Sequence, residues 1–152
     1  MEIPESMKSE LAAWNGGKGI GLSSWVECSG NFSLAIGYMN VFWPDLVEFD
    51  GYILHKGFSE KNLRGWESQK GATRRSTEYV MNHIHIEGLQ HSECSDISKD
   101  KLRLLGLGLR EIYEAKLKWQ FPNKPCVVEL HIPEDEDDLG EYQISFWQLK
   151  HE

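Results

Sequence analysis

CVVELHI at residues 126–132 is followed by PEDEDDLG at 133–140 and by EYQISFW at 141–147. The first and third runs are rich in β-branched and aromatic residues, which favour strands, and the middle run is typical of a loop. The stretch therefore predicts a β-hairpin whose connecting loop carries the densest negative charge in the chain. Apolar residues at alternate positions of the returning strand predict a sheet with one apolar face.

A second hairpin is predicted upstream of the first. Asp50-Gly51 separates the apolar runs 46–49 and 52–54, and this dipeptide suits a two-residue turn with positive φ at both positions. The alternative is one long strand with a bulge at Gly51. Both interpretations place β structure in this part of the chain.

Helices are predicted where apolar residues recur at i, i+3 and i+4. For the helix predicted over residues 31–42, Asn31 is a suitable cap. Its apolar face is formed by Phe32, Ala35, Ile36, Met39 and Phe42. The five predicted helices span residues 5–14, 31–42, 59–66, 73–83 and 98–119.

The longest predicted helix contains two glycines, Gly106 and Gly108. Each costs about 1 kcal/mol against alanine in a helix interior. Burial of the apolar stripe of this helix outweighs that cost. A glycine in a packed helix also admits a close neighbour.

The order of the predicted elements defines the fold class. Helices, a hairpin, more helices and a second hairpin follow one another, which predicts an α+β fold. We expect a mostly antiparallel sheet built from two hairpins and packed on one face by several helices. At 152 residues, the chain is expected to form a single domain over residues 1–152.

Composition restricts the classes of partner. The formal net charge of −8 disfavours direct binding to nucleic acid and to anionic membranes, and favours a basic protein. Mean hydropathy is −0.48, and no apolar run reaches the roughly 18 residues of a membrane helix. Residues 1–6 lack the pattern of a secretory signal.

The cysteines point to a reducing compartment. Cys28, Cys94 and Cys126 are odd in number and widely spaced, which is unlike a disulfide framework. We therefore expect a cytoplasmic protein. Cys28 and Cys126 sit beside apolar residues and are expected to pack as small core side chains, whereas Cys94 lies in a polar stretch.

One cluster of residues contains possible metal ligands. In an extended chain the side chains of His83, His85 and Glu87 point the same way, and His91 follows closely. Imidazole and carboxylate groups are ligands for zinc and similar metals. A small metal-dependent enzyme built on these four residues is therefore the alternative function, whereas the alternation with Ile84 and Ile86 favours a half-buried strand. The leading interpretation involves no metal and no cofactor.

The leading interpretation is a non-catalytic protein-binding domain. A run of carboxylates steers a cationic partner, and aromatic side chains supply the desolvated centre of such a contact. The sharpest form of this expectation is an acidic inhibitor of a basic toxin or nuclease. Bacterial immunity proteins offer an analogy of size and charge, and self-association through exposed tryptophan is a further possibility. The expected partner-binding residues are Glu134, Asp135, Glu136, Asp137, Asp138, Glu141 and Trp147.

Overall fold

The computed structural model describes residues 2–152. Across that range the chain forms six α-helices and two antiparallel sheets, which confirms the α+β class. Regular helical geometry in the first helix ends before Trp14, whose ψ is 162°, and Asn15 and Gly16 follow with left-handed φ values of 55° and 64°. The helices are α1 (Glu5–Gly17), α2 (Leu22–Ser29), α3 (Phe32–Phe42), α4 (Glu60–Glu67), α5 (Arg74–Asn82) and α6 (Lys99–Gln120).

The upstream hairpin consists of β1 (Leu46–Phe49) and β2 (Tyr52–His55). Asp50 and Gly51 connect them with φ values of 48° and 82°. Positive φ at both central residues is the geometry that Asp-Gly turns favour, so the hairpin is confirmed over the single bulged strand.

The C-terminal hairpin consists of β4 (Cys126–His131) and β5 (Gln143–Gln148), with the short β3 (Ile84–His85) on the other side of β5. The strand begins later than residue 141 because Leu139–Glu141 forms a turn of 3₁₀ helix. The two predicted hairpins thus exist, but they belong to a two-stranded and a three-stranded sheet rather than to one sheet.

Helices cover both faces of β5. Ile144 and Phe146 are fully buried in a core that they share with Leu109 and Tyr113 of α6. Ser145 and Trp147, on the opposite face, are 1% and 2% exposed. The hydroxyl of Ser145 donates to the carbonyl of Tyr79 in α5 at 2.6 Å, so α5 packs where the alternating pattern predicts an open face.

Two buried side chains of α5 bridge β2 and the part of β5 that the short β3 leaves unpaired. Glu78 is 0% and Asn82 1% exposed. The Glu78 carboxylate accepts from the N–H of Ile53 at 2.7 Å through one oxygen and from the N–H of Gln148 at 2.8 Å through the other. The Asn82 amide donates to the carbonyls of Ile53 at 2.8 Å and Phe146 at 3.2 Å.

Each bridging side chain has the hydrogen-bonding groups that its backbone partners require. A carboxylate with two acceptor oxygens lies between two N–H donors, and an NH₂ group lies between two carbonyl acceptors. The Glu78 carboxylate also accepts from the Gln148 side chain and from Nδ1 of His151. Buried edge groups that would otherwise lack a hydrogen-bond partner are satisfied by this bridge, which holds β2 and β5 side by side.

Asn82→Asp replaces the NH₂ group that donates to two carbonyls by a carboxylate oxygen, which can only accept. We expect Asn82→Asp to lower the free energy of unfolding by about 3 kcal/mol or more, because a buried carboxylate then faces two carbonyl oxygens. Asn62→Asp, the same change on the exposed surface of α4, is the matched control. Urea denaturation followed by circular dichroism measures both, and equal stability of the two variants would contradict the bridge.

The two glycines of α6 are expected to differ in their response to alanine. A Cβ at Gly106 would lie 2.6 Å from Cδ1 of Leu130 and 2.7 Å from Cδ1 of Ile86, whereas a Cβ at Gly108 meets nothing within 4 Å. Gly108→Ala therefore gains about 0.5–1 kcal/mol of stability from helix propensity. Gly106→Ala gains less than Gly108→Ala or nothing, because the end methyl groups of Leu130 and Ile86 must shift to admit the new Cβ. Thermal unfolding measures both, and indistinguishable melting temperatures would refute this packing.

Candidate functional site

The most exposed apolar surface of the chain is one face of α3. None of the residues of α3, all of which the structure describes, is buried. Phe32, Ile36 and Met39 are 90%, 68% and 69% exposed, and Trp43, which follows the helix, is 45% exposed. The spacings of four, three and four residues place these side chains in one line along the helix.

The opposite side of α3 attaches the helix to the rest of the protein. Val41 and Phe42 are partly buried and pack against the main core. The hydroxyl of Tyr113 in α6 donates to the carbonyl of Val41 at 3.0 Å. At the other end of the helix the Asn31 side chain accepts from the N–H of Leu34 at 2.9 Å, which confirms the predicted cap. These contacts direct the exposed line of side chains away from the core.

A tryptophan pair extends this line beyond α3. The ring centroids of Trp43 and Trp119, which belongs to the last turn of α6, are 5.9 Å apart. Nζ of Lys116 lies 5.0 Å from the centroid of each ring, and Lys116 is only 6% exposed. The ammonium group is attracted to both rings and restricts their orientation. Trp119 remains 69% exposed.

We call this surface the apolar stripe and define it as Phe32, Ile36, Met39, Trp43 and Trp119. Aromatic side chains present about 150–250 Å² each, and at these exposures the five residues leave on the order of 800 Å² open. Single patches on monomeric proteins are typically about 300–600 Å². Residues 28–44 contain no charged side chain in a chain that is 26% charged. A surface of this extent and composition is typical of a protein interface.

The acidic loop is partly neutralised by the first two turns of α6. A carboxylate oxygen of Asp137 lies 3.0 Å from Nζ of Lys99, and Glu136 lies 3.3 Å from a guanidinium nitrogen of Arg103. The pKa of Lys99 is raised by its hydrogen bond to Asp137. Two cations against six carboxylates leave the loop negative. The remaining four acidic residues, all exposed, are Glu134, Asp135, Asp138 and Glu141.

Trp147 does not belong to this loop surface. It is 2% exposed, its ring lies 5.7 Å from that of Tyr79, and the guanidinium of Arg75 lies 4.5 Å from the ring centroid. This corrects the expectation of an accessible Trp147. The expectation assumed a sheet open on one side, and α5 covers that side.

The four candidate metal ligands are not gathered into one site. Ile86 adopts helical φ and ψ of −68° and −34°, so the extended segment ends at His85 and the alternation breaks before Glu87. Among residues 2–152, no three His, Cys, Asp or Glu side chains are grouped to hold a metal ion. The structure therefore does not bring together His83, His85, Glu87 and His91, the ligand set of the alternative function.

Each member of that cluster has other surroundings. The rings of His83 and His85 lie 5.3 Å apart, and Nδ1 of each donates to a carbonyl, Val80 at 2.6 Å and Gly140 at 2.8 Å respectively. Glu87 and His91 instead line a cavity of about 640 Å³ against α6. Leu102, Leu105 and Cys94 also line this cavity.

Of the two cysteines that were predicted to pack in the core, only one does so. Cys126 packs against the main core, and burial raises the pKa of its thiol to about 12, so its predicted core role is confirmed. Cys28 is exposed on α2, so the same prediction is wrong there. Its apolar neighbours in sequence belong to a helix with no buried residue among those described.

Sequence reasoning missed the exposure of α3 although it located the helix. The apolar spacing was interpreted as a helix face, which normally packs on the core. The available signal was the uncharged run from residue 28 to residue 44, because a surface helix of a monomeric protein normally carries charge on its outer face.

No family model, curated protein or solved structure matches this chain. Within the part of the chain that the structure describes, none of the helices combines the length and apolar character needed to cross a membrane.

Proposed function

We propose that this chain is a non-catalytic protein-binding domain that engages its partner through the apolar stripe. The observation that carries the proposal is the exposure of Phe32, Ile36 and Met39 on a helix without a single charged residue. Leaving such side chains in water is unfavourable by about 25 cal/mol for each Å². A partner that covers the stripe recovers that free energy.

The shape and charge of the stripe favour a protein over other ligands. The stripe runs along the outside of a helix and across two tryptophans, so it offers a line of contacts rather than an enclosing cavity. Exposed aromatic residues are the side chains that most often dominate binding energy at protein interfaces. A nucleic acid requires basic residues, and residues 28–44 contain none.

A cytoplasmic location forms part of the proposal. All three cysteines are free thiols in the structure. Exposed thiols such as Cys28 persist in reducing compartments, whereas secreted proteins of this size often use cysteines in disulfides.

A lysine in the middle of the stripe is expected to abolish partner binding without unfolding the chain. Ile36→Lys places a charge at the centre of the apolar contact, where its desolvation opposes binding. Leu34→Lys is the matched control, because Leu34 is 54% exposed on the same helix but lies outside the stripe. Immobilised wild-type chain and both variants are used to capture proteins from the native host, which mass spectrometry identifies.

The expected result is capture by the wild type and by Leu34→Lys, and loss of capture by Ile36→Lys. Circular dichroism and thermal unfolding establish that the variants remain folded. Equal capture by all three proteins would show that the stripe is not the binding surface.

The acidic loop supports a second candidate function, the inhibition of a basic toxin or nuclease. The supporting observation is that Lys99 and Arg103 pair with only two of six carboxylates. The four exposed acidic side chains form a negative tip that steers a positively charged partner. In this version the loop, rather than the apolar stripe, makes the first contact.

Charge reversal at the loop tip separates the two functions. We expect Asp135→Lys combined with Asp138→Lys to leave the fold intact, since both residues are exposed, and to reduce capture of basic proteins from host lysate. Raising the salt concentration is expected to elute those proteins, because screening shortens the reach of exposed charges to below about 8 Å. Lys61→Glu on exposed α4 is the control for an altered surface charge. Capture that resists high salt and tolerates the loop variant would exclude the loop.

A further inference from the structure

We infer that the apolar stripe is covered by a second copy of this chain, with the two α3 helices antiparallel across a two-fold axis. The inference rests on the proposed function, since it names the partner of the same surface. Four observations support it: the charge of the chain, the area of the stripe, the linear arrangement of its side chains and the position of Lys116.

The charge distribution restricts where two copies can meet. Each copy carries a formal charge of −8, so most of its surface repels a second copy. An isologous interface sets a patch against itself, and like charges in such a patch face each other. Residues 28–44 form an uncharged stretch, so contact through α3 avoids that repulsion.

The area of the stripe matches what a stable dimer requires. Its five side chains leave on the order of 800 Å² open, and each partner in an interface of standard size contributes about 800 Å². Homodimer interfaces are also more apolar than the average protein surface. The open area of the stripe is thus close to the contribution of one partner to an interface of standard size.

The arrangement of side chains suits a pair of helices. Phe32, Ile36, Met39 and Trp43 repeat at spacings of four, three and four, the pattern with which two helices interdigitate at a crossing angle of about 20°. α3 contains 11 residues and spans roughly 16 Å. Ile36 and Met39 lie at the middle of the stripe and therefore nearest the two-fold axis.

The orientation follows from the two ends of the stripe. In a parallel pair the Trp43 and Trp119 ends of both copies meet, which brings two Lys116 ammonium groups together in an apolar environment, at a cost. In an antiparallel pair the Trp43 and Trp119 end faces Phe32 of the other copy. The antiparallel pair also sets the two helix dipoles in opposition, which is favourable.

Sedimentation velocity from about 1 µM to about 200 µM tests the inference on the full chain. Wild type and Leu34→Lys are expected to form a dimer as the concentration rises, and Ile36→Lys is expected to stay monomeric throughout. Wild type that stays monomeric, or a dimer that survives Ile36→Lys, would overturn the inference.

Oxidative cross-linking tests the orientation. In a Cys28→Ser background, Ile36→Cys is expected to form a disulfide between copies, because residue 36 lies near the axis, and Phe32→Cys is not. Efficient cross-linking at both positions would indicate parallel helices and would contradict the antiparallel arrangement.

Other occupants of the stripe give distinct results. A monomeric wild type that captures another protein through Ile36 overturns the second copy as occupant and leaves the proposed function in place. A monomeric wild type that binds phosphatidylcholine vesicles through Ile36 overturns both the second copy as occupant and the proposed function. A monomeric wild type whose binding does not depend on Ile36 likewise overturns the second copy as occupant and the proposed function.

Discussion

The two sheets of this chain are joined by side chains rather than by strand pairing. Glu78 accepts from the N–H groups of Ile53 and Gln148, and Asn82 donates to the carbonyls of Ile53 and Phe146. The bridge satisfies buried edge groups that would each cost about 1–3 kcal/mol if left unpaired. It also fixes α5 across one face of β5, which buries Trp147, while α6 covers the other face. The two hairpins and α5 are thus held together by one pair of polar residues.

This construction explains why α3 is left on the outside. α5 and α6 already cover the two faces of β5, so the exposed line of α3 has no core surface left to meet. The helix is attached by Val41, Phe42 and the Tyr113 hydrogen bond, and its other apolar side chains remain in solvent. An apolar helix that the fold does not need for its own core is available for binding, which connects the architecture to the proposed function.

Local patterns predicted the elements, and long-range contacts decided their environments. The Asp50-Gly51 turn and the Asn31 cap followed from short-range chemistry and agree with the structure. Glu78 could not be recognised as buried, because glutamate is normally exposed and its four donors lie 25 or more residues away. Periodicity also did not reveal the exposure of α3, since it shows that a helix has an apolar face and not what covers that face. Only the absence of charge from residue 28 to residue 44 pointed to it. Ile86 broke the histidine alternation through a turn that residue types alone do not reveal.

The claim that a protein covers the apolar stripe is tested most directly by photo-cross-linking in living cells. Phe32, which is 90% exposed, is replaced by p-benzoylphenylalanine, an aromatic residue that preserves the character of the site. The same probe at the exposed Lys61 of α4 is the reference position. The account predicts a defined cross-linked protein at position 32, either a second copy or another chain, and much weaker cross-linking at position 61. Cross-linking at position 32 that does not exceed that at position 61 would contradict it.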